Sequence, residues 1–478
     1  MNYSMIRYIL CRVLEFEALF LSLPCLVGII YHEKSAVSFA AVMAACFAVS
    51  LIGRRFKPKN KVFYAKEGFV TVSLSWIILS LVGAMPFYLS REIPSYTDAL
   101  FETVSGLTTT GATILTDVEV LSRSAQFWRC FTHWIGGMGV LVLIMAVLPL
   151  SGSYNMHLLR AESPGPKVGK LVPKVKNTAM ILYGIYMGIT LAGTISLMLA
   201  GLSAYDAVTL AFSSVGTGGF GLLNSSAGSY SVAVQAVLTA LMLICGVNFQ
   251  VFYLLLIRKP KEAFASEEIR YYFIIVLLSA VMITLNTENF FDNIFLGFHH
   301  ALFQVASVIT TTGFSSVDYD KWPEFSKTIM FLLSMLGACA GSTSGGFKIS
   351  RFIISLRSIK NEISYVIHPR GFKKIYMDGH VVESSVTKSV QVYAMIYIFI
   401  FFGSFLVLSL NEFDFTTNMA AVAATFNNVG AGFSLVGPSG NYSIFSGLSK
   451  FVLIFDMLVG RLELLPILIL LSPGTWKK

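Results

Sequence analysis

The chain has 478 residues, of which 55% are hydrophobic and only 13% are charged, and its mean hydropathy is +0.71. A soluble domain carries roughly a quarter charged residues, so this composition excludes a water-soluble enzyme of this size. The formal net charge of +9 indicates how a membrane protein is oriented, because nucleic-acid binding would need a soluble basic face.

Apolar runs of about 20 residues, the length that crosses a bilayer, recur along the chain. They predict an all-α polytopic membrane protein. The run near Thr328 is short and ends at a glycine-rich break. The predicted spans are Ile9–Ile30, Ser35–Gly53, Gly68–Leu89, Phe127–Leu150, Thr178–Ala200, Val232–Ile257, Tyr271–Asn286, Thr328–Cys339, Val390–Leu410 and Leu448–Leu471.

Lysine and arginine cluster in four segments between these spans, which are Arg54–Lys66, Arg160–Lys176, Arg258–Arg270 and Lys348–Lys388. All four lie on one side of the membrane if the spans alternate in direction. The positive-inside rule makes that side cytoplasmic. We therefore expect both termini in the cytoplasm.

The cysteines and the glycine motifs give no sign of a catalytic or redox site. The six cysteines are scattered in apolar runs without CxxC spacing, so we expect small core residues. The segment Gly216–Gly221 matches GxGxxG, but no acidic residue occurs in Leu222–Leu241, where a dinucleotide fold would need one. There is also no phosphate-binding GxxxxGK[ST] motif, and we expect no enzyme activity.

An internal repeat organises the chain. Ala99–Gly111 reads ALFETVSGLTTTG and Ala301–Gly313 reads ALFQVASVITTTG, and the two agree at eight of 13 positions. Weaker copies are Ala207–Gly219 and Ala420–Gly432. Since each copy lies between two spans, the repeating unit is span, short helix, glycine-bearing loop, span. Two helices at residues 1–66 are predicted to precede repeats at 67–176, 177–268, 269–387 and 388–478.

The short segment in each repeat resembles a re-entrant helix followed by irregular backbone at membrane depth. Such backbone is tolerated only where it is buried in protein or lines a watery cavity. Asp98 and Asp206 each stand 13 residues before their glycine and can cap the helix N-terminus. The C-terminal end of such a helix would then point to the membrane centre and favour a cation. Four loops around one axis predict a ring of backbone carbonyls, with glycine allowing the required φ values.

On these motifs the chain resembles the Trk/Ktr/HKT family of potassium transporters, in particular its TrkH-type membrane subunits. The resemblance covers nearly the whole chain. The motifs are SGLTTTGAT at Ser105–Thr113, HWIGGMG at His133–Gly139, VGTGGF at Val215–Phe220, ITTTGFSS at Ile309–Ser316, GACAGSTSGGFK at Gly337–Lys348, NNVGAGF at Asn427–Phe433 and MLVGRLE at Met457–Glu463.

The resemblance implies that carbonyls just before each loop glycine bind potassium. The residues carried over, with their glycines, are Thr109, Thr110, Gly111, Thr217, Gly218, Gly219, Thr311, Thr312, Gly313, Gly430, Ala431 and Gly432. Two positions depart from the pattern: Gly218 stands where two other loops have threonine, and Ala431 stands where relatives often have proline. Plant relatives that pass sodium often carry serine at the first loop glycine, so Gly111 favours potassium.

Two further features of the sequence have two interpretations each. A run of small residues interrupts the second span of the third repeat and is either a gating loop or a helix kink: Gly341, Ser342, Thr343, Ser344, Gly345 and Gly346. Arg461 lies inside the last span, where a charge is costly. It is either a pore-facing barrier to cations or half of a buried pair with Asp456 or Glu463.

The resemblance also implies the setting in which the chain works. We expect a homodimer in the lipid bilayer of a bacterial cytoplasmic (inner) membrane, with a cytosolic TrkA-type nucleotide-binding subunit as partner and no nucleic acid. No cofactor is expected in this chain, with potassium ions as substrate. The main expectation is a potassium uptake pore, and the alternative is a secondary symporter that couples potassium to protons or sodium.

Overall fold

The computed structural model describes residues 1–56, 58, 64–139, 175–369 and 374–477. Among them are six helices long and apolar enough to cross a membrane, together with one pair of helices bent by 90° that could form a seventh span. The only strands in the described ranges are β1 (Tyr376–Met377) and β2 (His380–Val381), which form a two-stranded hairpin. The predicted all-α polytopic fold is therefore confirmed.

The first two helices form an antiparallel hairpin that precedes the repeats. They are α1 (Tyr3–Ile30) and α2 (Ser35–Arg54). Phe20 of α1 contacts Phe131 edge to face, with 5.9 Å between ring centroids. Phe39 of α2 contacts Trp128 in the same way at 6.4 Å. The hairpin thus packs on the first repeat through aromatic side chains, which bury large apolar areas.

Each repeat begins with a long helix, followed by a short helix and a loop. The first helices are α3 (Ala65–Leu89), α6 (Val175–Leu199), α11 (Glu267–Asn286) and α15 (Ser384–Leu408). The short helices are α4 (Tyr96–Leu107), α7 (Ala204–Val215), α12 (Ile294–Ile309) and α16 (Phe415–Phe426). At about 1.5 Å per residue these short helices are roughly 18–24 Å long, which is too short to cross a bilayer.

A second helix follows each loop. These helices begin as α5 (Arg123–Gly137), α8 (Val232–Cys245), α13 (Glu324–Met335) and α17 (Gly447–Arg461). Three of them resume after an interruption as α9 (Phe249–Leu256), α14 (Ile349–Ile367) and α18 (Leu465–Leu471). The short helices α10 (Pro260–Phe264) and α19 (Pro473–Trp476) lie outside the repeated pattern.

Interruption of the second helices is more general than the sequence predicted. The span Val232–Ile257 is bent by 90° near Gly246, and Leu448–Leu471 is split where Glu463 and Leu464 have φ of 58° and 65°. The span Thr328–Cys339 is helical only as far as Met335. The predicted span Phe127–Leu150 extends beyond residue 139 and so lies partly outside the described residues.

The caps of the short helices differ from the predicted ones. Ser95 and Ser203 cap α4 and α7, because their side chains accept hydrogen bonds from the main-chain N–H groups of Asp98 and Asp206. The prediction that the two aspartates are the capping residues is wrong, since each is the third residue of its helix. An acidic side chain in the first turn still interacts favourably with the helix dipole, and Asp98 also forms a 2.6 Å ion pair with Lys450.

The cysteines are where the sequence predicted them. All six are buried and none is in a disulfide. They behave as small apolar core residues.

Candidate ion-conduction site

The four loops share one backbone conformation. The four glycines have φ between 80° and 85°, and they are Gly111, Gly219, Gly313 and Gly430. The residues two places earlier have φ between 54° and 57°, and they are Thr109, Thr217, Thr311 and Asn428. Left-handed conformations are unusual for residues other than glycine, so their recurrence at matching positions shows that the loops are structural copies. We call the segments 108–111, 216–219, 310–313 and 427–430 the filter loops.

The fourth filter loop corrects the register predicted from the sequence. Its left-handed glycine is Gly430, whereas Gly432 is not among the residues with positive φ. The main-chain N–H of Val429 bonds to the carbonyl of Ala424, as that of Thr110 bonds to the carbonyl of Ser105 in the first repeat. The equivalents of Thr109 and Thr110 are therefore Asn428 and Val429, not Gly430 and Ala431, and the fourth filter glycine is not Gly432.

The correction changes the assignment of three residues, Gly430, Ala431 and Gly432, whose contacts are as follows. Gly432 donates its N–H to Val436 at 2.8 Å, and its carbonyl accepts from the Tyr319 hydroxyl at 2.9 Å. The carbonyl of Gly430 accepts from the Tyr442 hydroxyl at 2.8 Å. Ala431 lines the cavity on that side of the loops. The carbonyls of Gly430 and Gly432 thus each accept a hydrogen bond from a tyrosine hydroxyl.

The four loops meet in a closed ring. A Cβ atom built on Gly111 would overlap the carbonyl oxygen of Gly218 in the next filter loop. The same overlap runs from Gly219 to Thr312, from Gly313 to Val429 and from Gly430 back to Thr110. The carbonyls of Thr110, Gly218, Thr312 and Val429 therefore follow one another around one axis, and we call them the carbonyl ring. Glycine is required at each contact because any side chain would displace a ring carbonyl.

Side-chain hydrogen bonds hold the filter loops to each other and to the helices behind them. The hydroxyls of Thr108 and Thr110 lie 2.8 Å apart, and the matching pair in the third loop lies 2.7 Å apart. The Asn428 amide donates to the Thr110 hydroxyl at 3.0 Å and to the carbonyl of Met457 at 2.9 Å. Asn428 thereby joins the fourth filter loop to the first.

His133 explains why the second filter loop has Gly218 where two others have threonine. A Cβ atom on Gly218 would overlap the imidazole ring of His133. That ring lies between the carbonyl of Gly106, 2.8 Å from Nδ1, and the N–H of Phe220, 3.2 Å from Nε2. Since Nε2 accepts, Nδ1 must carry the proton in the neutral imidazole. His133 thus braces the second filter loop.

A buried ion pair supports the same loops and was missed from the sequence. Arg129 and Glu102 pair at 2.8 Å with side chains 1% and 0% exposed. Glu102 also accepts from the Thr113 hydroxyl and the N–H of Ile114, at 3.0 and 3.1 Å. The Arg129 guanidinium lies 4.1 Å from the centre of the Phe220 ring. Charges inside apolar runs are the signal that could have identified this pair.

Cavities lie on both sides of the carbonyl ring. One, of about 180 Å³, is lined by the glycines of all four filter loops and by the residues that follow them. The other, of about 100 Å³, is lined by residues from the second helices of all four repeats and from the segments that follow those helices, among them Gly139, Phe249, Gly345 and Arg461. A path through the carbonyl ring would join the two cavities.

Asp117 and Glu119 lie beside the larger cavity, the one lined by the filter-loop glycines. Asp117 accepts from the Asn224 amide at 2.8 Å and from the N–H of Glu119 at 2.9 Å. The hydrogen bond from Asn224 lowers the pKa of Asp117 below its ordinary value, which keeps it ionised and attractive to cations. Within the described residues, no group of three or more His, Cys, Asp and Glu is placed to hold a metal ion.

The intramembrane loop, residues Gly341–Gly346, lies against the opposite side of the filter loops. The N–H of Gly345 donates to the hydroxyl of Thr311 at 2.7 Å. The carbonyl of Gly341 accepts from the N–H of Phe249 at 3.0 Å. The buried Lys348 ammonium donates to the carbonyls of Ser344 and Gly345, the latter at 3.0 Å. These bonds hold the loop across the smaller cavity.

Arg461 links the intramembrane loop to the first repeat. Its guanidinium donates to the carbonyl of Thr343 at 2.7 Å and to those of Gly136 and Gly137 at 2.5 and 2.7 Å. The two carboxylates considered as partners have other contacts: Glu463 pairs with Arg351, and Asp456 accepts from the Ser404 hydroxyl at 2.6 Å. Arg461 lines the smaller cavity, as do Lys348 and Glu463.

Four helix–loop–helix repeats whose carbonyls close a ring between two cavities define a pore-loop membrane transport protein. The sequence model of the TrkH family, described as a cation transport protein, matches residues 34–477. The chain belongs to the TrkH family. The family's members found by comparison are transport proteins, so the chain is a transporter and not an enzyme.

Curated relatives and a solved structure cover nearly all of this chain. The Trk system potassium uptake protein TrkH of Salmonella typhimurium strain LT2 is 34% identical over 467 residues, which are 95% of each chain. The Trk system potassium uptake protein TrkG of Escherichia coli strain K12 is 32% identical over 462 residues, covering 95% of this chain and 94% of that one. The crystal structure of the potassium transporter TrkH from Vibrio parahaemolyticus superposes with a TM-score of 0.89 at 30% identity, covering 100% of both chains.

Proposed function

We propose that this chain carries potassium ions into a bacterial cell through the carbonyl ring. The ring of four main-chain carbonyls between two cavities is the observation that carries the proposal. Carbonyl oxygens can replace the hydration shell of a large monovalent cation. The relatives are named as potassium uptake proteins, which supports potassium as the substrate.

The proposal includes an orientation and a division of the chain. The segments rich in lysine and arginine, with both termini, face the cytoplasm of the inner membrane. After the hairpin at residues 1–66, the repeats run over 67–176, 177–268, 269–387 and 388–478. The larger cavity then faces outward, and the intramembrane loop lies on the inner side of the ring.

Currents through the reconstituted protein distinguish a channel from a symporter. A channel reverses at the potassium equilibrium potential whether or not a proton or sodium gradient is imposed. We expect this result, because the carbonyl ring lies between the two cavities and the intramembrane loop crosses only the smaller one. A reversal potential that shifts with the proton or sodium gradient would identify the symporter instead.

We further propose that the intramembrane loop is the gate. It lies across the smaller cavity and is held by Lys348, Arg461 and Thr311. Each of these bonds joins polar groups at membrane depth, where a lost hydrogen bond must be replaced. Opening of the loop therefore requires these groups to exchange partners together.

Shortening the loop tests this gate. Deleting Ser342–Gly345 is expected to raise potassium leak severalfold without changing ion preference, because the carbonyl ring lies elsewhere. Efflux of potassium and sodium from proteoliposomes measures both quantities in one preparation. Lys348→Met, which releases the loop without shortening it, should change leak in the same direction. A folded deletion variant with wild-type leak would show that this segment is not a gate.

The proposed assembly is a homodimer with a cytosolic nucleotide-binding subunit. Helix α14 carries an exposed stripe of apolar residues spaced by four, three and four positions, which suits helix pairing. Its members are Phe352, Leu356, Ile359 and Ile363, with exposures of 38%, 50%, 57% and 56%. Disulfide cross-linking of Ile363→Cys between two chains tests the pairing, and recordings with and without the purified cytosolic subunit test its control of the gate.

A further inference from the structure

A groove runs along the N-terminal hairpin, away from the carbonyl ring. It lies between α1 and α2 and has a volume of about 660 Å³, within the usual range of about 300–1,000 Å³ for small-molecule sites. Its walls are mainly apolar, with Leu19 61% and Phe47 50% exposed. The lining residues are Arg12, Glu15, Phe16, Ala18, Leu19, Ser22, Met43, Ala44 and Phe47.

One end of the groove is charged. Arg12 and Arg54 both pair with Glu15, at 2.8 and 3.0 Å. Two guanidinium groups against one carboxylate leave one positive charge in excess. The Arg54 side chain is 37% exposed, so part of its guanidinium is free to bind another anion. The exposed side chains of Arg7 and Arg55 belong to the same end of the hairpin.

The charged end lies at the edge of the hydrocarbon region. Helix α2 has 20 residues and ends at Arg54, and at 1.5 Å per residue it spans roughly the 30 Å thickness of that region. From Glu15 the groove continues along α1 to Ser22, a rise of about 10 Å. An amphiphile with an anionic headgroup at Arg54 would therefore extend its apolar part along the groove.

We propose that this groove binds an anionic phospholipid. Its phosphate is bound by the guanidinium groups of Arg54 and Arg12, and one acyl chain lies on the wall formed by Leu19, Ala44 and Phe47. Guanidinium groups bind phosphate oxygens through charge-assisted hydrogen bonds. The acyl chain gains little on entering the groove, because lipid tails are as apolar as the groove walls, so the guanidinium contacts carry the preference for this site. The excess positive charge makes the site selective for anionic headgroups over zwitterionic ones.

Native mass spectrometry of the full chain in detergent, titrated with phosphatidylglycerol or phosphatidylcholine, tests the proposal. We expect one phosphatidylglycerol to bind more tightly than phosphatidylcholine by about tenfold, the effect of roughly 1.4 kcal/mol. Ala44→Trp should abolish this binding by filling the groove. Ala45→Trp is the matched control, because Ala45 is an exposed neighbour on α2 that does not line the groove.

The charged end is tested in the same titration. Arg54→Gln should weaken phosphatidylglycerol binding by about tenfold and phosphatidylcholine binding by less, because the choline ammonium offsets the charge of the phosphate that Arg54 binds. Arg123→Gln, at the first residue of α5, should change neither. If Ala44→Trp does not fold, Leu19→Trp fills the groove from the other helix. Equal binding of the two lipids, or equal loss in Ala44→Trp and Ala45→Trp, would overturn the proposal. So would dissociation of a dimer by Ala44→Trp, which would make a second copy the occupant.

Discussion

Gly111→Ser and Gly430→Ser are each expected to lower the preference for potassium over sodium at least about tenfold, the effect of roughly 1.4 kcal/mol. Both glycines have positive φ, at 80° and 85°, where a side chain costs about 1–3 kcal/mol. The added Cβ would also meet the carbonyl of Gly218 or Thr110 and displace part of the carbonyl ring. Uptake of the two ions into proteoliposomes gives the ratio.

Gly432→Ser is the matched control for the fourth filter loop. Gly432 is not among the residues with positive φ, and the nearest neighbour of an added Cβ is a methyl group of Val436 at 2.9 Å. Val436 can shift, so the ion preference should change much less than in Gly430→Ser. A loss of selectivity in Gly432→Ser that equals the loss in Gly430→Ser would contradict the corrected register.

The second large effect is expected at Arg461. Arg461→Ala should raise potassium flux by about tenfold or more, since a cation beside a narrow, low-dielectric passage repels another cation by several times RT. The same substitution removes the bonds to Thr343, Gly136 and Gly137 that join the intramembrane loop to the first repeat. Flux and thermal stability should be measured together on the purified protein.

Arg461→Lys separates the two roles of this residue. Lysine keeps the positive charge but lacks the planar set of five donors. Low flux in Arg461→Lys with high flux in Arg461→Ala would identify electrostatic repulsion as the barrier. High flux in both would identify the bonds to the loop. If Arg461→Ala is unstable and is rescued by neutralising Glu463 or Asp456, the residue is half of a structural pair and the barrier role is wrong.

The first three filter loops could be predicted because sequence and backbone agree there. Gly111 and Gly313 follow the same three threonines, and Gly219 occupies the matching place between two helices. The fourth loop offers Gly430 and Gly432, and the Gly-Phe-Ser that begins at both Gly313 and Gly432 favoured the wrong choice. The structure distinguishes the two by the positive φ of Gly430, by the hydrogen bond from Val429 to Ala424 and by the contact of Gly430 with Thr110 in the neighbouring loop.

Contacts between residues that are distant in the sequence explain the other differences from the sequence prediction. Neither the pairing of Glu102 with Arg129 nor the place of His133 behind Gly218 follows from local sequence, since the partners lie far apart along the chain. Most of the breaks in the second helices also could not be predicted from local sequence. A continuous run of small residues, Gly341–Gly346, marks only the third break, whereas the break before Phe249 contains just Gly246 and Asn248 among small or polar residues, and the break before Leu465 has no glycine.

The contact of every filter glycine with the neighbouring loop constrains how the four repeats can diverge. The residue before the glycine is threonine, glycine, threonine and valine in the four copies. Its carbonyl makes the contact that all four copies have in common, whereas its side chain has a different environment in each, as where the Thr110 hydroxyl accepts from Asn428. The glycine cannot be replaced in this way, since a side chain on it would displace the ring carbonyl of the neighbouring loop. After duplication of a gene, each repeat could therefore acquire a different side chain at the ring carbonyl, whereas all four glycines would have to be retained together.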